Sequence, residues 1–328
     1  MKIAIVGATG LVGRNIIKQC EQLLPKEIEY HLFASSKSAG KSLKINDQDV
    51  VVQELNSKNI KEYDIALFSA GGDRSKEFSE YFISQGSYVI DNSSAFRMQD
   101  EVPLVVYGIN EDQITTTTKL IANPNCTTMG LVMALKPLHD KFNLNSITPV
   151  AYQAVSGSGT EAVNSLKKEE LLDKESLLEN RDTFYSRPIA RNVIPLAGNL
   201  TENEYSDEEM KIVYESRKIL DIPGLLVEPS NARVGVVTSH GVFCSAVFEE
   251  DVNIEEAISV LNNFEGVQYW SDTLATPLDA EDNLNVLVSR LRIGLSNTRI
   301  LNFWCVSDNL LKGAALNAVQ IASYLVKK

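Results

Sequence analysis

The sequence predicts an α/β chain with a parallel-sheet domain followed by an α+β domain on a mixed sheet. Three observations favour this fold class. The chain has 328 residues, a length at which one core usually gives way to two. Near-continuous apolar segments alternate with helical ones through the first 125 residues, which is typical of a parallel sheet covered on both faces. From about Ile147 the predicted strands show more alternation between apolar and polar residues.

Composition is that of a globular protein, with 44% hydrophobic and 23% charged residues. No repeat and no apolar run of 18 residues is present, so a soluble protein without a membrane span is expected. The net charge of −12 argues against nonspecific binding to nucleic acid or to an anionic membrane. Four cysteines without CxxC spacing, and an N-terminus without signal-peptide features, predict free thiols in a reducing cytoplasm.

The opening "KIAIVGATGLVGRNIIKQCEQLL" predicts a strand, a glycine turn and a helix, the order of a Rossmann-type dinucleotide-binding unit. Gly7, Gly10 and Gly13 give the spacing GxxGxxG, which departs from the usual GxGxxG. Gly10 can bring the backbone against a pyrophosphate at the helix N-terminus, and Gly13 can let the helix pack closely on its strand. A structural tight turn is the alternative interpretation.

The end of the second predicted strand indicates which dinucleotide is bound. An NAD-specific unit ends this strand with a carboxylate for the ribose 2′-hydroxyl. Here the stretch "ASSKSAGKSL" has Ser35, Ser36, Lys37 and Ser38 and no acid. Hydroxyls beside a lysine can hold a 2′-phosphate, so NADP is predicted in preference to NAD. Lys41 and Lys44 are also compatible with a solvated loop.

Further strands of this sheet are predicted within 64–72, 87–96 and 119–124, with a helix around 74–85. Ligands of such sheets bind at the carboxyl ends of the strands. The segments "SAGG", "DNSSAFR" and "NPNC" all follow strand ends, so polar chemistry is expected there.

Cys126 begins a helix predicted from about Thr127 to Leu138. The free N–H groups and dipole of a helix N-terminus favour a thiolate. Cys20, Cys244 and Cys305 lie inside strand or helix patterns and are interpreted as buried and inert. A thiolate on a nicotinamide-binding protein indicates acyl transfer followed by hydride exchange.

The proton shuttle of such a reaction has to be sought among three histidines. His31 lies inside the second predicted strand. His139 is on the helix of Cys126 but about 20 Å along its axis at ~1.5 Å per residue. His240, in "RVGVVTSHGVF", is the remaining candidate, although a purely structural histidine is the alternative.

The later part of the chain predicts strands in "SITPVAYQAVSG", "GVFCSAVFEE", "NVLVSRLRIG" and "RILNFWCVSD". Helices are predicted near 160–180, 206–220 and 253–264, and the charged stretch 166–182 is interpreted as a surface helix. The apolar spacing of the closing helix predicts that it returns to the first domain. We therefore expect an NADP-binding domain of residues 1–125 and 309–328 and a catalytic, dimerising domain of residues 126–308.

Eight motifs in register resemble the aspartate-semialdehyde dehydrogenase family along nearly the whole chain. They are "GATGLVG", "SKSAGK", "DNSSAFRM", "NPNCTT", "YQAVSGSG", "EEMK", "RVGVVTSHG" and "SDNLLKGAALNAVQIA". The resemblance implies reductive dephosphorylation of L-aspartyl-4-phosphate by NADPH, giving aspartate-4-semialdehyde and phosphate. This is the branch step toward lysine, diaminopimelate, threonine, methionine and isoleucine. A homodimer or homotetramer is implied, and no metal site.

The resemblance also implies roles for matching residues. Cys126 is the implied nucleophile, His240 the acid/base and Gln153 the residue that orients the acyl group. The implied substrate-binding residues are Arg97 and Lys211 for the phosphate, Arg233 for the α-carboxylate and Glu208 for the α-ammonium. Asn125, directly before the cysteine, is predicted as a polar donor to the oxyanion. The cofactor-binding positions, including those argued above from the residues themselves, are Gly7, Thr9, Gly10, Leu11, Val12, Gly13, Ser35, Lys37, Ser38, Ser156, Gly157 and Asn309.

Two departures and two alternatives accompany this prediction. The family commonly reads Pro-Glu after "PLVV", where this chain has Tyr107 and Gly108, and "VEPSNARVG" differs from the usual approach to the arginine. Another phosphorylated-acyl reductase, of the N-acetylglutamyl-phosphate reductase or glyceraldehyde-3-phosphate dehydrogenase type, is the nearest alternative. A non-catalytic nucleotide-binding homologue is the second.

Overall fold

The structure is a computed structural model that describes residues 1–327, and the chain forms two compact units. The first unit contains Met1–Asn125 and the chain from Ala314 onward. The second contains Cys126–Gly313. Residues 309–313, which we expected in the first domain, therefore lie in the second unit.

The first unit is built on a seven-stranded sheet of order β3-β4-β2-β1-β5-β6-β7. Its elements are β1 (Lys2–Val6), α1 (Leu11–Leu23), β2 (Glu29–Ala34), β3 (Ser42–Ile45), β4 (Gln48–Glu54), β5 (Ile65–Phe68), α2 (Gly72–Ser84), β6 (Tyr88–Asp91) and β7 (Leu120–Ala122). All neighbours in this sheet pair in parallel except β3 and β4. The predicted parallel sheet is confirmed.

Strand order reverses beside β1, which has β2 on one side and β5 on the other. In open α/β sheets this switch point is where ligands bind, outside the carboxyl ends of the strands. The residues that follow β1 and β5 are therefore the expected edge of a nucleotide site.

The hairpin of β3 and β4 was not predicted. Asn46 and Asp47 form its two-residue loop, with φ angles of 49° and 61°. Two positive φ angles are typical of the type I′ turn, whose twist matches that of the flanking strands. The solvated-loop interpretation of Lys44 is therefore wrong, because this residue pairs with Asp49 in the hairpin.

The second unit is built on an eight-stranded mixed sheet of order β13-β14-β15-β12-β8-β11-β9, with β10 beside β8. Its helices are α3 (Cys126–Phe142), α4 (Thr160–Glu169), α5 (Lys174–Glu179), α6 (Asp207–Leu220), α7 (Ile254–Asn262) and α8 (Pro277–Ala280). Its strands are β8 (Leu144–Gln153), β9 (Val193–Ile194), β10 (Leu226–Val227), β11 (Ser230–Val234), β12 (His240–Phe248), β13 (Val267–Tyr269), β14 (Val286–Ile293) and β15 (Ile300–Ser307). The four long predicted strands are β8, β12, β14 and β15, and the mixed sheet is confirmed.

Two helices differ from their predicted bounds. Helix α3 continues past Leu138 and ends where Asn143 adopts a left-handed φ of 59°. The charged stretch 166–182 is divided between α4 and α5. Glu169, the last residue of α4, is only 1% exposed and accepts hydrogen bonds from the backbone N–H groups of Ile189 and Ala190. Because this carboxylate is buried, the stretch is not a simple surface helix.

The closing helix α9 (Leu316–Lys327) lies in the first unit, where it packs on α1. Ala318, Val319 and Ile321 of this helix share a hydrophobic core with Ile3 and Ile16. A π-helical turn, Leu311–Ala315, precedes it. Within residues 1–327, no helix combines the length and apolar character needed to cross a bilayer.

Candidate active site

The glycine turn after β1 is shaped by close backbone contacts. A Cβ atom at Gly7, whose φ is 85°, would overlap the carbonyl oxygen of Ser69. A Cβ at Gly13 would overlap the carbonyl of Gly7, which is the close packing predicted for that glycine. Gly10 is exposed and is the N-cap of α1, without a side-chain cap and without an acid in the first turn. The N–H groups of this helix end therefore suit a phosphate group of a dinucleotide.

The turn after β2 carries the other predicted cofactor residues. The backbone N–H groups of Ser38 and Ala39 donate to the carbonyl of Ser35 at 2.9 and 3.1 Å, and Lys37 is exposed. Glu54 lies at the end of β4, in register with Ala34 at the end of β2. Sequence reasoning missed this nearby carboxylate because it belongs to a strand 20 residues further along the chain.

Arg97 is 7% exposed and lies beyond the carboxyl ends of β6 and β7. Its Nε donates to the carbonyl of Asn123 at 2.9 Å, and its Nη2 donates to the carbonyl of Asn92 at 2.8 Å. Burial raises the pKa of neighbouring Asp91, an effect only partly offset by hydrogen bonds from two serine hydroxyls and by the charge of Arg97. Asn125, which is also buried, directly precedes the cysteine discussed next.

Cys126 is the first residue of α3 and is partly exposed, whereas the other three cysteines are buried. Burial raises the pKa of the Cys20 and Cys244 thiols, and it raises the pKa of Cys305 to about 12. Gly313 packs against the nucleophile candidate, since a Cβ at this glycine would lie 2.8 Å from the Cβ of Cys126. Among the four cysteines, the helix N-terminus and partial exposure are thus combined only at position 126.

Three predicted residues lie side by side because of strand register. Gln153 is the last residue of β8, and its parallel partner in β11 is Arg233. On the other side of β8, Gly241 of β12 pairs with Tyr152, which brings His240 next to Gln153. Residues 80 or more positions apart in the sequence are thus neighbours at one end of the sheet.

His240 is 3% exposed, and the two nitrogens of its ring differ. The backbone N–H of Ala154 donates to Nδ1 at 3.0 Å, so the proton of the neutral ring is on Nε2. Nε2 itself is buried and has no hydrogen-bond partner within residues 1–327. Burial, and then the positive charge of Arg233, lower the pKa of His240 to about 3. This ring can therefore offer a neutral N–H donor to a ligand.

The two other histidines make local contacts. His31 lies in β2 and its Nε2 is 2.8 Å from Glu29. His139 lies in α3 and accepts a hydrogen bond at Nδ1 from the backbone N–H of Leu144. Both contacts are explained by local structure.

Helix α6 presents Glu208 and Lys211 because of a capping box at its start. The Ser206 hydroxyl accepts from the backbone N–H of Glu209, whose carboxylate in turn accepts from the backbone N–H of Ser206. The helix therefore begins at Asp207, and the acidic residues lie in its first turn.

The side chains of this turn form a charged chain that reaches the sheet. Gln153 Nε2 donates to Glu208 Oε2 at 3.4 Å, and Lys211 Nζ donates to Glu208 Oε1 at 2.6 Å. Lys211 also contacts Asp207 Oδ2 at 3.1 Å. Partial burial lowers the pKa of Lys211, but the two carboxylates outweigh it and raise the pKa above its usual value. Asp207 was missed by sequence reasoning, although its i,i+4 spacing to Lys211 was available.

Arg233 is 5% exposed, and part of its guanidinium group is held by protein contacts. Its Nη1 donates to the carbonyl of Ala154 at 2.9 Å, and its guanidinium lies 5.7 Å from the ring centroid of Tyr185. Its Nε is buried and has no acceptor within residues 1–327. An unpaired buried donor is costly, so this atom suits a carboxylate ligand. Tyr185 was not predicted, because it comes from the segment between α5 and β9.

Asn309, Ser156 and Ser239 form a buried hydrogen-bonded group beside the histidine. Asn309 Oδ1 accepts from the backbone N–H of Ser239 at 2.8 Å, and its Nδ2 donates to the Ser156 hydroxyl at 3.0 Å. Ser239, directly before His240, has a left-handed φ of 78°, which is rare for serine. A Cβ at Gly157 would lie 3.2 Å from His240 Nε2, so the glycine leaves space over the ring.

Two protein-family models match the two parts of this chain. Residues 2–117 match the semialdehyde dehydrogenase NAD binding domain, and residues 135–312 match the semialdehyde dehydrogenase dimerisation domain. The chain therefore has the two domains of a semialdehyde dehydrogenase. An aspartate-semialdehyde dehydrogenase of Aquifex aeolicus is 40% identical over 334 residues, covering 100% of this chain and 98% of the relative. The chain belongs to the aspartate-semialdehyde dehydrogenase family.

Solved structures agree with this membership. Aspartate semialdehyde dehydrogenase II from Vibrio cholerae, complexed with ASA, has a TM-score of 0.92 and 34% identity, covering 100% of this chain and 98% of that one. Aspartate semialdehyde dehydrogenase with NADP from Candida albicans has a TM-score of 0.76 and 25% identity, covering 99% and 98% of the two chains.

Proposed function

We propose that this chain reduces L-aspartyl-4-phosphate to aspartate-4-semialdehyde with release of phosphate, using NADPH and a thioester on Cys126. The reaction would supply the lysine, diaminopimelate, threonine, methionine and isoleucine branches. One observation carries the proposal. His240 has a buried Nε2–H without a partner within residues 1–327, and it lies at the same end of the sheet as Arg233 and Gln153. Within residues 1–327, the Nε2–H of His240 and the Nε–H of Arg233 are two buried donors without an acceptor, and such donors favour an oxygen-rich, anionic ligand.

The substrate is held by charges matched to its groups. Arg233, whose Nε is buried without an acceptor within residues 1–327, receives the α-carboxylate. Glu208 receives the α-ammonium, and Gln153, hydrogen-bonded to Glu208, orients the acyl group. Arg97 and Lys211 receive the phosphate, with lysine acting as a movable point charge.

The first chemical step is acyl transfer to sulfur. The Cys126 thiolate attacks the acyl carbon, the bond from this carbon to the phosphate oxygen breaks, and phosphate leaves with the electron pair. Asn125 and backbone N–H groups stabilise the developing oxyanion. Removing one such donor typically costs about 3 kcal/mol of transition-state stabilisation.

In the second step the thioester becomes a thiohemiacetal and then the aldehyde. A reduced nicotinamide, when bound, would supply the hydride that this conversion requires. His240 donates a hydrogen bond from Nε2 to the oxygen that becomes negative, and the sulfur leaves as thiolate when the carbonyl forms again. Because the backbone of Ala154 occupies Nδ1 and the buried ring is neutral, His240 is proposed as a hydrogen-bond donor and not in the acid/base role that the family resemblance implies.

The residues present fit a dinucleotide phosphate group. The uncapped N-terminus of α1 and the Gly7 and Gly13 contacts support binding by Thr9, Gly10, Leu11 and Val12. Ser35, Lys37 and Ser38 would hold the 2′-phosphate of NADP, and Ser156, Gly157 and Asn309 the nicotinamide end. The likeness of residues 135–312 to a dimerisation domain supports assembly as a homodimer or homotetramer, which sedimentation would distinguish.

The test is phosphate-dependent reduction of NADP in the presence of aspartate semialdehyde. Wild-type protein should be active with this aldehyde and weakly active or inactive with N-acetylglutamate semialdehyde and glyceraldehyde 3-phosphate. Cys126→Ala should abolish turnover and leave NADPH binding intact, whereas Cys20→Ala, at a buried cysteine, should remain active. Substantial turnover by Cys126→Ala would refute the thioester, and preference for a rival aldehyde would refute the substrate.

A further inference from the structure

Three asparagines of the first unit form a connected hydrogen-bonded network. Asn92 and Asn123 directly follow β6 and β7, and Asn317 lies in α9. Asn123 and Asn317 are 0% exposed. Buried amides are costly unless their hydrogen bonds are satisfied, so their arrangement in a core needs a physical explanation.

Asn317 uses both ends of its amide. Its Nδ2 donates to Asn123 Oδ1 at 2.6 Å and to the carbonyl of Val105 at 2.8 Å. Its Oδ1 accepts from the backbone N–H of Tyr107 at 2.9 Å. The closing helix is thereby joined to the loop in which this chain departs from the family pattern at Tyr107 and Gly108.

Asn123 connects Asn317 to Asn92, which directly follows β6. Its Nδ2 donates to Asn92 Oδ1 at 2.8 Å and to the carbonyl of Ala314 at 3.3 Å. Asn92 is itself anchored, because its Nδ2 donates to the carbonyl of Phe68 at the end of β5. The three amides therefore fix the backbone just beyond three neighbouring parallel strands.

Arg97 is held by the backbone of the same two residues. Its Nε and Nη2 donate to the carbonyls of Asn123 and Asn92, at 2.9 and 2.8 Å. The side chains of these residues are bonded to each other, so the two carbonyl acceptors are kept at a constant separation. A guanidinium is planar, and two acceptors on one edge determine the direction in which its remaining donors point.

We propose that Asn317 is a positioning residue for Arg97, acting through the side chain and carbonyl of Asn123. The closing helix is then part of the anion-binding machinery, although it does not touch the anion. This inference rests on the proposed function, in which Arg97 binds the phosphate. Loss of the Asn317 donor should turn the guanidinium and weaken phosphate binding specifically.

The test compares Asn317→Asp with wild type in the phosphate-dependent oxidation of aspartate semialdehyde. Aspartate has the shape of asparagine and keeps an acceptor for the Tyr107 N–H, but it cannot donate to Asn123 or Val105 when ionised. We expect the KM for phosphate to rise about tenfold, as for loss of one hydrogen bond of about 1.4 kcal/mol. The Kd for NADP should change less than twofold.

Two controls separate positioning from a general loss of packing. Val319→Ala removes buried atoms from the same helix and the same core, but an apolar side chain makes no hydrogen bond to the asparagines. Its KM for phosphate should equal that of wild type. Combined with Arg97→Lys, Asn317→Asp should add little to the KM increase, because both changes disturb one guanidinium site. Asn317→Ser provides a second variant if the aspartate does not fold.

The outcomes are distinguishable. If Arg97→Lys leaves the KM for phosphate unchanged, the proposed role of Arg97 fails, and the inference with it. If Arg97→Lys raises this KM while both Asn317 variants leave it at the wild-type value, the proposed function stands and the inference is overturned. Equal effects of Val319→Ala and Asn317→Asp on this KM would also overturn the inference.

Discussion

Acidification should destabilise the folded protein, because His240 is buried in its neutral form. In the unfolded chain this ring takes up a proton as pH falls below its ordinary pKa of 6.5. In the folded protein burial and Arg233 lower the pKa to about 3. Between these values the unfolded state binds more protons than the folded state, so folding stability decreases as pH falls from 6.5 toward 3.

The size of this effect follows from the two pKa values. One unit of pKa difference corresponds to about 1.4 kcal/mol, so His240 should cost the folded state about 2 kcal/mol at pH 5 relative to pH 7. The group is 3% exposed, so screening by solvent does not reduce this figure much. Other groups also titrate in this range, and their contribution has to be removed by comparison with a variant.

The assay is urea unfolding of wild type and His240→Gln at pH 7, 6 and 5. Glutamine can keep an acceptor for the Ala154 N–H but does not titrate, so the stability advantage of wild type over the variant should shrink by about 2 kcal/mol between pH 7 and pH 5. Histidine ¹⁵N NMR gives an independent measurement, in which His240 should remain the Nε2–H tautomer down to pH 5. A difference in stability that is independent of pH, together with a His240 signal that titrates near 6.5, would refute the reasoning.

Three further changes probe other parts of the structure. Gly313→Ala places a Cβ 2.8 Å from that of Cys126, so kcat and the rate of alkylation of this thiol should fall on the order of 100-fold. The control Gly224→Ala adds a Cβ in open space and should change neither rate. Equal rates for both variants would contradict the contact. Lys37→Ala should raise the Kd for NADP about tenfold by loss of one charged hydrogen bond and leave the Kd for NAD unchanged, as measured by fluorescence titration. An equal increase in the Kd for both dinucleotides would disprove recognition of the 2′-phosphate by Lys37. Glu169→Gln should lower the free energy of unfolding by about 1–3 kcal/mol, because a buried carboxylate that accepts two backbone N–H groups loses charge-assisted bonds; unchanged urea stability would contradict this.

The parts of the fold that sequence predicted well are those specified by neighbouring residues. The strand, glycine turn and helix at the N-terminus are recognisable from apolar spacing and glycine placement, and Gly13 makes the close contact expected of it. The β3–β4 hairpin was missed because the pair Asn46-Asp47 is a weaker sequence signal for a two-residue turn than Asn-Gly or Asp-Gly. Both residues nevertheless adopt the positive φ angles that this turn requires. The break between α4 and α5 was missed because the burial of Glu169 depends on a distant loop.

The same limit applies to the candidate site. Reasoning from the residues singled out Cys126 and His240, and the resemblance to a family added Arg233, but neither could give the electrostatics of these side chains. The tautomer of His240 depends on one backbone N–H that lies 86 positions away in the sequence. The pairing of Lys211 with Asp207 and Glu208 on one helix could have been read from spacing, whereas the bond from Glu208 to Gln153 required the sheet.

The amino-acid sequence by itself determined the order of the long strands and helices, the helix start at which Cys126 lies and the family to which the chain belongs. These depend on local spacing and on motifs, which are properties of contiguous residues. Strand register brought Gln153, Arg233 and His240 together, and burial together with the charge of Arg233 lowered the pKa of the histidine. Desolvation and register are created when distant segments pack, so the chemical state of the site was decided by the tertiary structure.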